Sequence, residues 1–381
     1  MLLGRSDRGL LARWWFTVDR GLLSAVLLLM AAGVLISMAA SPPVAERIGL
    51  DPLHFFRSQL VFLGPAVLLL FAASLATPVQ ARRAGFLLFL GAIGLMVAAL
   101  LWGPEIKGAH RWINFGPIGL QPSEIAKPAF IIVAAWFLAQ HARRPEMPGL
   151  PIAVLFFALL LGLLVMQPDF GQAALISLTF GAMLLIYGIP WSVVFGLAGL
   201  GAAGVATAYT LMPHVASRID RFLNPDKGDT FQTDTAIAAF GNGGILGTGP
   251  GGGDAKQVLP DAHADFTFAV VGEEYGLVAC LLLMALFAFI VFRILQRAKA
   301  EDDAFAALAL SGFAVVFGLQ SVINLGVNVS LLPAKGMTLP FISYGGSSLI
   351  GMALAMGLVL ALGRRRPSQA GSAAALHPAL A

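Results

Sequence analysis

The sequence predicts an all-α polytopic membrane protein of about ten transmembrane helices. Hydropathy, the spacing of the apolar runs and the placement of lysine and arginine predict it. Of 381 residues, 58% are hydrophobic and only 12% charged, with a mean hydropathy of +0.84. Soluble domains carry about 25% charged residues. The shortfall leaves too little polar surface to cover a soluble globule, so most of the exterior must face lipid.

A bilayer-spanning helix needs about 20 apolar residues. Runs of that kind fall at 21–40, 58–77, 85–103, 124–140, 150–167, 171–188, 191–211, 267–292, 305–327 and 345–363. The fifth to seventh are separated only by short turns, marked by Pro168 with Gly171 and by Gly188 with Pro190. Residues 1–366 are expected to form a single membrane domain with a large loop at 212–266. The segment 367–381 is small-residue, low-complexity sequence and is expected to be a disordered tail. Nothing at the N-terminus resembles a cleavage site, so the first span is expected to serve as its own insertion signal. The single cysteine, Cys280, lies in an apolar run and excludes an intramolecular disulfide.

Ten spans bring both termini to one side, and basic residues decide which. The termini and the loops on their side hold most of the chain's 24 lysines and arginines, including Arg5, Arg8, Arg13, Arg20, Arg82, Arg83, Arg143, Arg144, Arg293, Arg297 and Arg364. Against them stand only Asp7, Asp19, Glu146, Glu301, Asp302 and Asp303. Both termini are therefore expected in the cytoplasm, with the chain in the inner membrane. Orientation also accounts for the net charge of +4, and no nucleic-acid partner is needed to explain it.

The long polar segments then fall on the outer side, at 103–123, 211–265 and 328–344. The first reads KGAHRWINFGPIGLQPSEIAKP and concentrates Lys107, Arg111 and Lys127 around Trp112 on an otherwise acidic face. Such cations suit an anion such as a pyrophosphate, although Trp112 as an interfacial anchor and Lys127 as a snorkelling side chain are the plainer alternatives. Pro122 followed by Glu124 is ordinary helix-start chemistry, and Pro128 predicts a kink in the same helix. Asp169, in QPDFG, is equally suited to capping the next helix or to facing a cavity.

The largest loop carries GTGPGG, a literal G-x-G-x-x-G through Gly247, Gly249 and Gly252. No strand precedes it and no lysine follows as in a P-loop, so neither nucleotide motif applies. Glycine at this density supplies close backbone approach. The loop ends in LPDAHADFTFAVVGEEYG, with Asp265 at the mouth of the eighth span. Glu273 lies about 12 Å deeper along an ideal helix and Glu274 on nearly the opposite face, so the three acids cannot form one cluster. A lone aspartate before a helix is often its N-cap. Here it also stands where a lipid-anchored polar substrate would present its reacting group. The last outer segment, LLPAKGMTLPFISYGGSS, adds Lys335 and a glycine-rich entry into the tenth span, whose amides could bind an anion.

Taken together, KGAHRWINFG…QPSEIAK, QPDFG, LPDAHADFTFAVVGEE and LLPAKGMTLPFISYGGSS resemble the SEDS family, the RodA/FtsW-type membrane proteins of bacteria, over about residues 20–363. LLPAKGMTLP looks most like the cell-division branch. The resemblance implies a glycosyltransferase that polymerises lipid II into β-1,4-linked glycan at the septum. It implies a class B penicillin-binding protein transpeptidase and other division proteins as partners. By the same resemblance Asp265 is the catalytic residue. Lys107, Arg111, Trp112, Gln121, Ser123, Glu124, Lys127, Asp169, Gln232, Lys256, His263, Lys335, Ser343 and Ser347 are candidates for substrate contact. A divalent cation, Mg or Mn, is expected at an unknown site. The sequence departs from the family at His263-Ala264-Asp265-Phe266, where HTDF is usual, and at Thr230-Phe231-Gln232. A lipid II flippase and a non-catalytic scaffold are the competing readings. Flippases often show internal repeats, and none is visible here.

Overall fold

The computed structural model describes residues 9–106, 108–116, 118–212, 216–217, 220, 230–333 and 336–364. Lys107, Lys335 and the predicted tail lie outside the described residues. The helices are α1 (Leu10–Thr17), α2 (Arg20–Arg47), α3 (His54–Ser74), α4 (Pro78–Trp102), α5 (Pro122–Arg143), α6 (Gly149–Met166), α7 (Phe170–Tyr187), α8 (Trp191–Leu211), α9 (Phe231–Gly243), α10 (Ala255–Val258), α11 (Thr267–Lys299), α12 (Ala304–Asn328) and α13 (Gly346–Leu362). Among the described residues, nine are long and apolar enough to cross a membrane, and the shorter α13 is the apolar tenth. The chain is a multi-pass membrane protein, and the ten predicted spans coincide with α2–α8 and α11–α13.

Local chemistry explains the helix ends. Asp19, Asp169 and Asp303 cap α2, α7 and α12 by accepting backbone N–H bonds from Leu22, Gln172 and Phe305. Thr77 and Gln80 form a reciprocal capping box at the start of α4, with Pro78 in the first turn. Gly188 closes α7 in the left-handed region, φ 96°.

Ion pairs lock the helix ends together at the basic end of the bundle. Arg293 and Arg297 of α11 both bind Asp19, Arg143 binds Asp303 across α5 and α12, and Arg364 donates to the Leu75 and Ala76 carbonyls after α3. The chain's alternation then places 48–53, 103–121, 167–169, 230–266 and 329–345 together at the opposite end. The core is dense around α5, α12 and α13, where Phe130, Phe313, Phe317 and Met356 are fully enclosed.

Three features differ from the sequence expectations. The amphipathic α1 precedes the first span, pinned by the Trp14 indole N–H donating to Ser74 Oγ at 2.9 Å. The 103–123 segment contains a hairpin of β1 (Ile113–Phe115) and β2 (Ile118–Leu120), in register Ile113 opposite Leu120. Helix α11, expected as one unbroken span, is interrupted at Gly276 with φ 74° and ψ −175°.

Candidate functional site

The described part of the 230–266 segment is docked on the broken region of α11, and its glycines make that possible. Interrupting α11 at Gly276 frees backbone groups that must be satisfied within the protein. Leu277 and Val278 donate to the Gly244 and Ile245 carbonyls, while Thr248 and Gly249 donate back to the Glu273 and Glu274 carbonyls. A Cβ on Gly243 would lie 1.9 Å from the Gly272 carbonyl oxygen, and one on Gly247 2.2 Å from that of Glu274. Only glycine allows the two backbones to approach so closely, which gives Gly247 of the G-x-G-x-x-G stretch a structural role.

The acids of α11 finish the docking. Glu273 accepts the Ala255 and Lys256 N–H groups at 2.7 and 3.0 Å, together with the Asn242 side-chain amide. Lys256, a candidate for substrate contact, instead inserts its ammonium against Glu274 and is 3% exposed. Arg47, at the end of α2, donates to the Gln257 and Leu259 carbonyls. This cross-bracing ends six residues before Asp265.

Asp265 is half-buried at the site end of the bundle. It is not the cap of α11, since Phe266 occupies that position and offers no capping side chain. The Asp265 carbonyl accepts from the side-chain amides of Asn324 and Asn328 on α12 at 3.0 and 2.9 Å. Opposite the carboxylate runs a strap of residues 336–345. Gly336, at φ +67°, faces the carboxylate: a Cβ there would lie 3.7 Å from Asp265 Oδ2. The strap is tied back by Tyr344 N–H donating to the His263 carbonyl at 2.9 Å. The His263 ring is stacked on Phe55 at 4.0 Å between centroids and tilted against Tyr344. Ser343 accepts the Leu339 N–H and shapes the strap's turn.

Behind the strap a buried polar seam crosses between α5, α7 and α12. Lys127 and Glu124 pair at 2.9 Å, one turn apart. Gln320 accepts from Lys127 at 3.2 Å and donates to the Thr338 carbonyl at 3.0 Å. Gln172 donates to Glu124 at 2.8 Å. Lys127 is 3% exposed, so it neither snorkels nor presents a surface cation. Pyrophosphate contact at the surface would therefore have to come from elsewhere. A small cavity beside the pair is lined by Glu124, Lys127, Pro128, Val316, Gly351, Met352 and Ala355.

The seam continues outward to Asp169, which accepts from the Gln121 side chain at 3.1 Å as well as capping α7. Burial pushes the Asp169 carboxyl above the ordinary carboxylate range, with Arg111 and the Gln172 N–H pulling against it. Arg111 itself donates to the Gln167 carbonyl at 2.8 Å and to that of Pro168. Ser347 accepts the Gln121 N–H at 2.9 Å and donates to the Gly119 carbonyl, joining the hairpin to α13. Ser123 is buried in the first turn of α5. Trp112 and Gln232 are both half-buried, Gln232 on α9 away from this seam's hydrogen bonds.

Sequence reasoning missed Gln172, Gln320, Asn324, Asn328 and Arg47. For the α12 residues the signal was present: amides recur every four residues through an otherwise apolar span, and intramembrane polar residues are functional candidates. The divalent cation finds no all-protein cage, because among the described residues no three His, Cys, Asp or Glu side chains converge. Magnesium needs no such cage where substrate phosphates supply ligands.

The fold and site define a multi-pass membrane protein that presents one braced aspartate at the end of its bundle, beside a buried, charge-compensated seam. The FtsW/RodA/SpoVE family model of cell cycle proteins matches residues 20–367. A probable peptidoglycan glycosyltransferase FtsW of Caulobacter vibrioides is 44% identical, covering 97% of this chain and 95% of the relative. Its counterpart in Coxiella burnetii is 36% identical over 91% of this chain and 96% of its own. Among solved structures, a chain from a peptidoglycan synthase complex superposes with TM-score 0.76 at 30% identity, covering 92% of this chain and 98% of that one. The Thermus thermophilus rod shape determining protein RodA gives 0.68 at 30% identity, with 92% and 97% covered. The chain belongs to the FtsW/RodA/SpoVE family, as its motifs suggested.

Proposed function

We propose that this protein is a peptidoglycan glycosyltransferase that polymerises lipid II, with Asp265 as the catalytic base. The activity is the one named for its relatives. The observation that carries the residue assignment is the bracing of Asp265: its backbone is fixed from α12, its loop from α2 and α11, and its carboxylate faces the strap.

The donor sugar of lipid II is α-linked to pyrophosphate and the product is β-1,4-linked, so the reaction inverts and needs a single displacement. The 4-hydroxyl oxygen of the acceptor GlcNAc bonds to C1 of the donor MurNAc. The C1–oxygen bond to undecaprenyl pyrophosphate breaks, and the hydroxyl proton passes to Asp265. A carboxylate is a weak base toward an alcohol, so proton transfer comes late and positioning supplies much of the acceleration. General-base catalysis contributes about 10²–10⁴-fold.

Arg111 is the described cation nearest the outer surface of the seam, and Lys107 and Lys335 belong to the same proposal as contacts for the departing pyrophosphate. A divalent cation belongs to it as a companion of those phosphates. The chain sits in the bacterial inner membrane with both termini cytoplasmic. It works at the division septum with a class B penicillin-binding protein transpeptidase and other division proteins.

The test uses the purified chain with its transpeptidase partner and labelled lipid II in detergent. Glycan growth is expected there. Transfer of lipid II between leaflets of vesicles without any growth in detergent would establish a flippase instead, and neither activity would leave a scaffold.

A further inference from the structure

We propose that Asn324 and Asn328 of α12 are positioning residues for Asp265, and that Asn324 also sets the spacing between that aspartate and the strap at 336–345. The inference rests on Asp265 being the base.

Both side chains are enclosed within a membrane span, 1% and 0% exposed. A buried amide there is unfavourable unless its hydrogen bonds are made. Their common acceptor is the Asp265 carbonyl oxygen, at 3.0 Å from Asn324 and 2.9 Å from Asn328. Residue 265 precedes the Phe266 cap of α11, so its carbonyl stands outside the helix's own hydrogen-bond series.

Asn328 also accepts the Ala269 N–H, in the first turn of α11, at 3.0 Å. One amide therefore grips the helix entry on both sides of the cap, bonding the carbonyl before it and an N–H after it. This is capping supplied from a neighbouring helix, a task that the cap residue would ordinarily perform with its own side chain and that Phe266 cannot.

Asn324, one turn earlier, divides its donors between the Asp265 carbonyl and the Met337 carbonyl, the latter at 2.7 Å. The Met337 peptide follows Gly336, the residue that faces Asp265 Oδ2. A single planar amide thus fixes the backbone carrying the carboxylate and the backbone opposite it. Gln320, a further turn along the same stripe, holds the Thr338 carbonyl and Lys127. The stripe extends this positioning to the buried ion pair about 12 Å from Asn328 along the helix.

Asn324→Leu removes both donors while keeping the number and branching of side-chain heavy atoms. A base misplaced by an ångström loses about 10²-fold in rate. The variant is expected to lower kcat for lipid II polymerisation by about 10–100-fold, with KM within about twofold of the unaltered protein. Asn324→Asp supplies a readout that a merely structural role would not move. An ionised carboxylate donates nothing to the two carbonyls, and its protonated form regains one donor. The ratio of variant to unaltered activity is therefore expected to rise as pH falls from 7.5 to 5.5.

Both variants are assayed with the transpeptidase partner after size-exclusion chromatography confirms a folded, monodisperse complex. Should the leucine variant fail to fold, the aspartate variant and its pH ratio decide. Asn324→Leu activity within threefold of normal, a raised KM at normal kcat, or a pH-independent ratio for Asn324→Asp would overturn the positioning role. An unaltered protein that fails to polymerise would overturn the reading of Asp265 itself, a distinct outcome visible in the control.

Discussion

Replacing Lys127 with methionine tests whether the Glu124–Lys127 pair holds the bundle together. The two side chains are 5% and 4% exposed and meet at 2.9 Å. In Lys127→Met the Glu124 carboxylate keeps the Gln172 amide as a donor but loses its counter-charge. Breaking a buried pair from one side costs about 3–5 kcal/mol. The expected loss is therefore about 3–5 kcal/mol. The double variant Glu124→Gln/Lys127→Met removes both charges and keeps the hydrogen-bonding amides, so it should lie within about 1 kcal/mol of the unaltered protein. SDS titration in mixed micelles, followed by far-UV circular dichroism, gives the three stabilities. A single variant that loses under about 1 kcal/mol, or a double variant as unstable as the single, refutes the reasoning.

Two further substitutions probe the bracing of the site and the basic end of the bundle. Gly243→Ala places a Cβ 1.9 Å from the Gly272 carbonyl oxygen, whereas Gly241 has nothing within 4 Å. The first should expose the 231–265 segment to limited proteolysis and depress polymerisation, while Gly241→Ala leaves both nearly unchanged; equal sensitivity would contradict the docking role. Asp19→Asn keeps a capping oxygen but loses the charge that pairs with Arg293 and Arg297, and should lower stability at pH 7 by about 1 kcal/mol. Burial pushes the Asp19 carboxyl up, but the Leu22 N–H with Arg297 and Arg293 outweighs it and holds the group below its ordinary 3.8. A depressed folded-state pKa gives stability present above 3.8 and lost as pH falls through the lower folded value. Thermal midpoints of the two proteins should therefore converge only below pH 3.8, and convergence near pH 6 would contradict this.

The spans were legible in the sequence because each is a continuous apolar run, and lipid leaves a helix as the only open-ended way to satisfy its backbone. Their order and the place of Asp265 at the end of the bundle opposite the basic loops followed from those runs and from the spacing of lysine and arginine. Helix α1 was missed because eight residues fall well short of a span. The break at Gly276 was missed because it is a tertiary event: nothing local marks that glycine, and the partner backbone arrives from Gly244 to Gly249, some thirty residues earlier. Lys127 and Lys256 were read as candidates for substrate contact, and in the structure each also pairs with a buried acid, Glu124 and Glu274. Charge alone could not separate these uses, because it shows neither depth nor partner.

The central claim is that Asp265 takes the acceptor's proton. Asp265→Asn keeps the size of the side chain and the backbone carbonyl that Asn324 and Asn328 hold. Polymerisation of labelled lipid II by the purified complex should fall by about 10²–10⁴-fold, in a variant that remains folded and associated with its partner. An Asp265→Asn protein that is folded, associated and extends glycan chains at the normal rate would contradict the assignment.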